Sequence, residues 1–321
     1  MQKRQLGTSG LRVSRMALGT MSWGSGTDAE EAANQLVTFV DAGGTLVDTA
    51  DIYAEGESER LVGSLLGDLV PRDEVVLATK AVARRTEGPF GGGASRGALL
   101  CALDGSLRRL GVEHIDLWQL HAWDDSVPLD ETLSALEYAV RTGRVRYTGV
   151  SNYAGWQLAT AAARSNGTPL VSTQMEYSLL ERGIEREVVP AARHHGVGLL
   201  PWAPLGRGVL TGKYRTGTPA DSRGASPAYA GYVEQHRTER AGRIVEAVNT
   251  AADGLGTSPL VVALAWVRDR PGVVAPVVGA RDTGQLTGSL AAEEITLPPA
   301  IKAALDDVSA IELGYPERWP R

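Results

Sequence analysis

Four side chains of the sequence are suited to acid–base chemistry, and three of them directly end a short apolar run. Asp48 follows the run Thr45–Val47, and Tyr53 lies five residues further on. Lys80 ends EVVLATK, and His121 ends IDLWQLH. A free tyrosine has a pKa of about 10, too high for efficient proton transfer at neutral pH, and a neighbouring cation lowers it. These residues predict a tyrosine acid that is tuned by a Lys80–Asp48 ion pair, with His121 placed to hydrogen-bond a substrate oxygen.

Polar or aromatic side chains also follow other apolar runs. Ser151 and Asn152 come after RYTGV, Gln174 after LVST, and Trp202 after LLP. Each has a plainer explanation when taken alone: Ser151 and Asn152 could cap a helix, for example. Their recurrence where one run after another stops indicates a shared site.

The elements that must position these residues alternate between two kinds. The apolar runs are RMAL, TLV, EVVLATK, IDLWQLH, VRYTGVSN, LVSTQ, VGLLPWAP and VVAPVVG, about eight in all. Amphipathic helical patterns such as DETLSALEYAVRTG separate most of them. Short, nearly continuous apolar strands alternating with helices are typical of parallel sheets buried on both faces. Eight such units predict an α/β fold, a single (β/α)8 TIM barrel over residues 1–321, with its active site at the carboxyl ends of the strands.

Two further features complete this organisation. The segments Arg4–Leu6 and Leu11–Val13 flank the turn Gly7–Gly10 and predict an N-terminal β-hairpin. A long segment rich in Gly, Pro and Ser, Leu205–Gln235, follows the seventh predicted barrel strand. It is too long for a simple connection, which predicts a loop that contacts cofactor or substrate.

Composition narrows the classes of function. The chain has a formal net charge of −6 and no evident basic face, which argues against a nucleic-acid binder. No apolar run approaches the length of about 20 residues that a membrane span needs, and the first residues lack a signal-peptide pattern. The one cysteine, Cys101, excludes an internal disulfide. We therefore expect a cytoplasmic protein with a small-molecule substrate and no membrane partner.

The motifs together resemble the aldo-keto reductase family, in the branch with bacterial general reductases and potassium-channel β subunits. They extend in order from Gly19 to Leu286, and they are GTMSWG, DTADIYAEGESERLVG, LATK, IDLWQLH, GVSNY, TQMEYSLLER, PWAPLGRGVLTGKY and GARDTGQL. The family's catalytic tetrad of Asp, Tyr, Lys and His would be Asp48, Tyr53, Lys80 and His121. By this resemblance Tyr53 is the general acid in reduction, Lys80 and Asp48 tune it, and His121 orients the carbonyl. NADPH would supply the hydride.

The resemblance also implies cofactor contacts. Those near the nicotinamide would be Gly19, Thr20, Met21, Asp48, Ser151, Asn152, Gln174 and Trp202, on which the ring would stack. Those near the pyrophosphate would be Ala203, Pro204, Leu205, Arg207, Gly208 and Lys213. Those near the adenosine would be Gly279, Arg281, Gln285 and Ser289. Arg223 matches the position that meets the 2′-phosphate, and since a guanidinium suits a phosphate, NADPH is favoured over NADH. The family branch often has an acidic residue and Asn where Gly288 and Ser289 stand.

The substrate pocket is expected to include Trp23, Tyr53, His121 and Trp123, with parts of 226–235. Related proteins act on aliphatic and aromatic aldehydes, ketones and sugar-derived carbonyls, and the sequence does not separate these substrates. It leaves the choice between monomer and oligomer open as well.

Other readings of the sequence remain. A regulatory subunit that binds NADPH with little turnover is the main alternative, and a barrel aldolase with Lys80 as a Schiff base is a second one. Ser95 matches G-x-S-x-G by letter, but a Gly-rich loop precedes it, which predicts a helix N-cap rather than a nucleophile. His194 and His195 have no suitably spaced ligands around them, so no metal site is expected.

Overall fold

The computed structural model describes residues 1–165, 167–220, 222–227, 230–315 and 317–319, with the backbone but not the side chain of Arg223. The strands in these residues are β1 (Lys3–Gln5), β2 (Arg12–Ser14), β3 (Ala17–Gly19), β4 (Leu46–Asp48), β5 (Val76–Ala81), β6 (Ile115–Leu120), β7 (Val145–Ser151), β8 (Leu170–Glu176), β9 (Gly198–Trp202) and β10 (Val277–Gly279). The helices are α1 (Ala29–Asp41), α2 (Glu57–Leu65), α3 (Arg96–Leu110), α4 (Leu129–Arg141), α5 (Gly155–Arg164), α6 (Val188–His195), α7 (Ala230–Glu234), α8 (Glu239–Leu255), α9 (Pro259–Arg268), α10 (Thr283–Leu290) and α11 (Pro299–Val308).

Strands β3 to β10 form the predicted barrel. They make an eight-stranded parallel sheet in the order β10-β3-β4-β5-β6-β7-β8-β9. The two ends of the sheet meet beside Leu199, whose N–H donates to Gly272 O at 3.0 Å and whose carbonyl accepts from Val274 N at 2.9 Å. The prediction of a (β/α)8 barrel is confirmed, with strand limits that differ from the apolar runs by one to a few residues.

The register of the strands places side chains inside the barrel in layers. Leu46 lies beside Ala17, and Asp48, two residues later on the same face of β4, lies beside Gly19. Between them, Val47 points the other way and packs in the cluster beneath the helices, whereas Leu46 packs in the interior cluster. Since successive side chains alternate across a strand, an apolar layer near the amino ends of the strands supports a polar layer near their carboxyl ends.

The N-terminal hairpin closes the bottom of the barrel. Strands β1 and β2 pair antiparallel, as predicted. Leu6 and Val13 are fully buried in the interior cluster, together with Ala17 and Leu46. Burial of these two side chains holds the hairpin at the end of the barrel opposite the predicted site.

The connections carry several of the predicted features. Ser95 is the N-cap of α3 and accepts a hydrogen bond from Ala98 N at 3.3 Å, so the cap prediction is confirmed. The long segment 205–238 follows β9, the seventh barrel strand, and contains the short helix α7. Among the described residues, no helix by itself is long and apolar enough to cross a membrane; only α8 and α9 together meet that test, with a 101° bend between them.

Candidate active site

Lys80 is at the centre of the polar layer. Its side chain is fully buried, and its Nζ donates to Asp48 Oδ2 at 2.7 Å, to Thr49 O at 2.7 Å and to the Tyr53 hydroxyl at 3.3 Å. Asp48 ends β4 and Lys80 lies near the end of β5, so neighbouring parallel strands bring the pair together. Tyr53 starts a short turn in which Ala54 and Glu55 have left-handed backbone angles. The predicted ion pair and its contact with the tyrosine are therefore present.

The surroundings raise the pKa of both Lys80 and Tyr53, so both groups hold their protons more tightly than usual. Burial alone would lower the pKa of Lys80, but Asp48 and Tyr53 raise it above its usual value, so the ammonium stays charged. Burial raises the pKa of Tyr53, and the Lys80 charge opposes that rise without overcoming it. The sequence predicted a lowered pKa for Tyr53. That prediction is wrong for this structure because it counted the cation but not the desolvation of the phenol.

His121 faces the same space as a neutral ring. Its imidazole lies edge-on to the Tyr53 ring, with 6.1 Å between ring centres. Burial, helped by the nearby Lys80 charge, lowers the pKa of His121 to about 3. A neutral imidazole can donate one hydrogen bond to a carbonyl oxygen, and it does not compete with Tyr53 as an acid.

Two amide side chains fix the carboxylate of Asp48. Its Oδ1 accepts from Gln174 Nε2 at 2.8 Å and from Gln119 Nε2 at 3.4 Å. Gln119 in turn accepts from Ser172 Oγ at 3.0 Å. Gln174 is predicted from the sequence as a cofactor contact, whereas Gln119 and Ser172 are members of this group that the sequence patterns do not single out. A polar residue inside the apolar run IDLWQLH was the available signal, since a buried amide needs a partner.

Residues at the carboxyl ends of β7 and β9 connect this group to a partly exposed tryptophan. Trp202 Nε1 donates to Asn152 Oδ1 at 3.0 Å, and Asn152 Nδ2 donates to His121 O at 2.9 Å. Asn152 takes a left-handed conformation with φ of 58°. Ser151 Oγ donates to Gln174 O at 2.8 Å. Trp202 is therefore linked through Asn152 to the backbone of His121, and its partly exposed ring is a flat surface on which a nicotinamide could stack.

The backbone after Trp202 makes a tight left-handed turn. Ala203, Gly206, Arg207 and Gly208 all have positive φ angles there, and two of them carry side chains. Such strain is costly and concentrates at binding sites. Lys213 lies beside Gly208, where an added Cβ would stand 3.2 Å from its Nζ. Pro204 is buried within the turn and Leu205 precedes its helical part. A left-handed backbone turn next to a cation suits a phosphate group.

The Arg207 side chain is already bound to other groups of the protein. Its guanidinium is mostly buried, pairs with Glu176 Oε2 at 2.8 Å and lies 3.5 Å from the centre of the Tyr232 ring. Because its guanidinium is bound to Glu176 and to the Tyr232 carbonyl, Arg207 would contact a phosphate through its backbone.

The first barrel strand and its loop supply fewer accessible groups than predicted. Gly19 packs against β10, and Met21 is exposed. The Thr20 hydroxyl is buried and bonded to Ser58 Oγ at 2.7 Å. Trp23 is 0% exposed and donates to Gln35 at 3.0 Å, so the structure does not bring it to the substrate space. The reason is a buried glutamine on α1 that satisfies the indole N–H.

Trp123 does lie on the rim. It is partly exposed two residues after His121, and its ring packs against those of Tyr153 and Trp156, with centres 5.1 and 5.4 Å away. It is thus the one of the two predicted tryptophans that has surface available to a substrate.

The predicted adenosine segment forms the start of α10. The Arg281 N–H donates to Gln285 Oε1 at 3.2 Å, and Ser289 Oγ donates to Gln285 O at 2.9 Å. Gly279 ends β10 and is exposed. A Cβ added at Gly288 would meet open space. The side chain of Arg223 lies outside the described residues.

Asp51 forms a second buried acidic feature, two residues before Tyr53. Its side chain is 0% exposed, and Arg85 Nε lies 2.9 Å from Oδ2. The orientation does not make a hydrogen bond, and neither carboxylate oxygen has such a partner in the described part of the chain. Burial raises the pKa of Asp51 to about 7, against the opposing charge of Arg85.

Asp51 should make folding stability depend on pH. An unfolded aspartate loses its proton near pH 4, so between about pH 4 and 7 only the folded chain holds this proton. The contribution of Asp51 to stability therefore falls as pH rises through that window. We expect Asp51→Asn to gain about 3–4 kcal/mol of unfolding free energy on the parent between about pH 4 and about pH 8, with the difference smallest at about pH 4. Urea unfolding at both pH values measures this, and a difference independent of pH would contradict it.

A family match and three relatives of known sequence all indicate the same family. A family model described as "Aldo/keto reductase family" matches residues 15–310. The uncharacterized oxidoreductase YrpG of Bacillus subtilis is 39% identical, over 96% of this chain and 96% of that protein. A probable voltage-gated potassium channel subunit beta of Oryza sativa is 34% identical, over 99% and 98%. The L-glyceraldehyde 3-phosphate reductase of Escherichia coli is 34% identical, over 89% and 86%.

Proposed function

The chain belongs to the aldo/keto reductase family, and from that premise we propose that it reduces an aldehyde or ketone to an alcohol with NADPH. The single observation that carries this proposal is the contact between Lys80 and both Asp48 and Tyr53. A phenol held against a buried ammonium can release a proton without leaving an unpaired charge. That is the behaviour required of a general acid in carbonyl reduction.

In this proposal the substrate carbonyl oxygen sits between Tyr53 and His121. Tyr53 gives its proton to the oxygen as negative charge develops there, and the Lys80 ammonium stabilises the phenolate that remains. His121, held neutral, donates a hydrogen bond that fixes the orientation of the carbonyl. Asp48 keeps Lys80 charged and in place, and Gln174 and Gln119 keep Asp48 in place.

The residues present fit a nicotinamide dinucleotide. Trp202 would stack on the nicotinamide, with Asn152 near the carboxamide, and the left-handed turn 203–208 with Lys213 would hold the pyrophosphate. When bound, the cofactor supplies the hydride that the protein's own residues cannot provide. Gln285, Arg281 and Ser289 would lie along the adenosine.

The geometry disfavours a Schiff-base role for Lys80. A nucleophilic lysine needs a neutral amine with a free lone pair. Lys80 Nζ instead donates to three oxygens, and its pKa is raised. We therefore assign Lys80 to electrostatic control of Tyr53.

The direct test is the oxidation of NADPH, followed by absorbance, with a panel of aliphatic and aromatic aldehydes and ketones. We expect turnover with at least one class of carbonyl compound. Tight NADPH binding without turnover across the panel would contradict the proposed reductase activity.

A regulatory role is the second candidate, because two plant relatives are named as probable potassium-channel β subunits. Such a protein would bind NADPH and turn over slowly. The intact set of Asp48, Tyr53, Lys80 and His121 favours the enzyme. The panel assay separates the two functions.

Arg223 should decide between the two nicotinamide cofactors. We expect Arg223→Ala to raise the Kd for NADPH by about ten- to a hundredfold, the size of a lost charge-assisted hydrogen bond. The Kd for NADH should change by less than about threefold, because NADH lacks the 2′-phosphate that the guanidinium would pair with.

Fluorescence titration with both cofactors measures this difference. Arg215→Ala is a matched control, because Arg215 is an exposed arginine on the same long segment that pairs with Glu246 instead. An equal loss of affinity for NADPH and NADH would show that Arg223 does not recognise the 2′-phosphate.

A further inference from the structure

Tyr232 is an exposed aromatic side chain on the long segment after β9. It lies in α7 and is 51% exposed. The Arg207 guanidinium covers one face of its ring at 3.5 Å, a distance typical of a cation–π contact. The remaining surface of the ring is open.

A clamp made of Glu176, Arg207 and His236 holds this part of the segment in place. Arg207 donates to Glu176 Oε2 at 2.8 Å through one nitrogen and to Tyr232 O at 2.8 Å through another. His236 Nε2 lies 3.0 Å from the other oxygen of Glu176. Glu176 is the last residue of β8, so the barrel itself anchors the chain on both sides of Tyr232. The ring therefore has a defined position.

That position is on the rim of the candidate active site. The Arg207 guanidinium is 5.8 Å from the Trp202 ring, and Trp202 is joined through Asn152 to the backbone of His121. Tyr232 also lies close enough to Tyr53 for a phenolate at Tyr232 to raise the pKa of Tyr53. Trp123 is a second rim aromatic, beyond His121 on the loop after β6.

Resting on the proposed reductase activity, we propose that Tyr232 is a specificity-determining wall of the carbonyl pocket and favours planar, uncharged aromatic aldehydes and ketones. A ring held by a cation on one face can stack with a flat group on its open surface. The positive charge of Arg207 is already balanced by Glu176, so this wall offers no net charge to a phosphorylated carbonyl compound.

The test compares two substrates in three variants. We would measure kcat/KM for an uncharged benzaldehyde and for a short aliphatic aldehyde with Tyr232→Leu, Tyr232→Phe and Tyr138→Leu. Tyr138 is a matched control, because it is 47% exposed, lies near an arginine, Arg144, and sits on the outer helix α4. The ratio of aromatic to aliphatic kcat/KM should fall about tenfold in Tyr232→Leu, mostly through KM, as expected for a lost stacking contact.

The other variants decide what the ring contributes. Tyr232→Phe should keep the parental ratio, because it keeps the aromatic surface. A fall in Tyr232→Phe equal to that in Tyr232→Leu would overturn the stacking role in favour of the hydroxyl. A parental ratio in Tyr232→Leu, or the same fall in Tyr138→Leu, would overturn the proposal entirely.

A binding measurement separates this proposal from the proposed function. Calorimetric titration of the benzaldehyde into the protein saturated with NADP⁺ should show weaker binding in Tyr232→Leu and parental binding in Tyr138→Leu. If the parent shows no turnover but Tyr232→Leu binds the benzaldehyde more weakly than the parent does, Tyr232 lines the pocket and the proposed reductase activity is wrong. If turnover depends on Tyr53 but Tyr232→Leu binds the benzaldehyde as the parent does, the reductase activity is supported and Tyr232 does not line the pocket.

Discussion

Tyr53→Phe should lower kcat for carbonyl reduction by about a thousandfold while leaving the Kd for NADPH within about twofold, because only the proton donor is removed. The phenol contacts Lys80 at 3.3 Å, and its ring also lies against the edge of His121. Phenylalanine keeps the ring and that packing. The expected loss lies within the range of about a hundred- to ten-thousandfold that general acid catalysis contributes.

Steady-state rates and fluorescence titration of NADPH measure the two quantities separately. Tyr138→Phe is the control, because it removes a hydroxyl from an exposed ring on α4. Near-parental turnover in Tyr53→Phe would mean that another group, or water, supplies the proton. A large rise in the Kd for NADPH would instead indicate damage to the cofactor site.

The barrel and the polar layer could be predicted because both follow from local patterns. Alternation of buried strands with amphipathic helices indicates parallel crossovers, and the end of each apolar run marks the rim. Asp48, Lys80 and His121 could be placed on one rim for that reason. Their mutual distances follow from strand register, which the structure supplies.

What could not be predicted depends on packing between distant segments. The Trp23 side chain is buried away from the rim, where its indole N–H donates to Gln35 on α1. No spacing in the sequence indicates that partner. The direction of the Tyr53 pKa shift is set by how deeply the phenol is buried against how near Lys80 lies. Two opposing effects on a pKa cannot be ranked from residue types alone.

The clamp around Glu176 was missed for a related reason. Glu176 and Arg207 are far apart in sequence, and the segment that contains His236 lacks a periodic pattern. Only its length indicated a function. The residue that gives the loop a defined position is thus on the barrel, outside the loop itself.

Lys80→Met should have the second large effect, on both stability and catalysis. Methionine fills similar volume but leaves the Asp48 carboxylate buried, with the amides of Gln174 and Gln119 as its remaining side-chain partners among the described residues. Removing one partner of a buried ion pair typically costs about 3–5 kcal/mol of unfolding free energy. Reduction should fall more than about a hundredfold, because nothing then stabilises the Tyr53 phenolate.

The double variant Asp48→Asn/Lys80→Met separates these two effects. It removes the unpaired charge, so most of the lost unfolding free energy should return, since replacing both members of a buried pair is often nearly neutral. Its activity should stay as low as that of Lys80→Met, because the ammonium beside Tyr53 is still missing. Urea unfolding and kcat measure the two outcomes. Recovery of activity in the double variant would show that Lys80 serves only to neutralise Asp48, whereas recovery of stability alone would assign it a direct part in the chemistry of Tyr53.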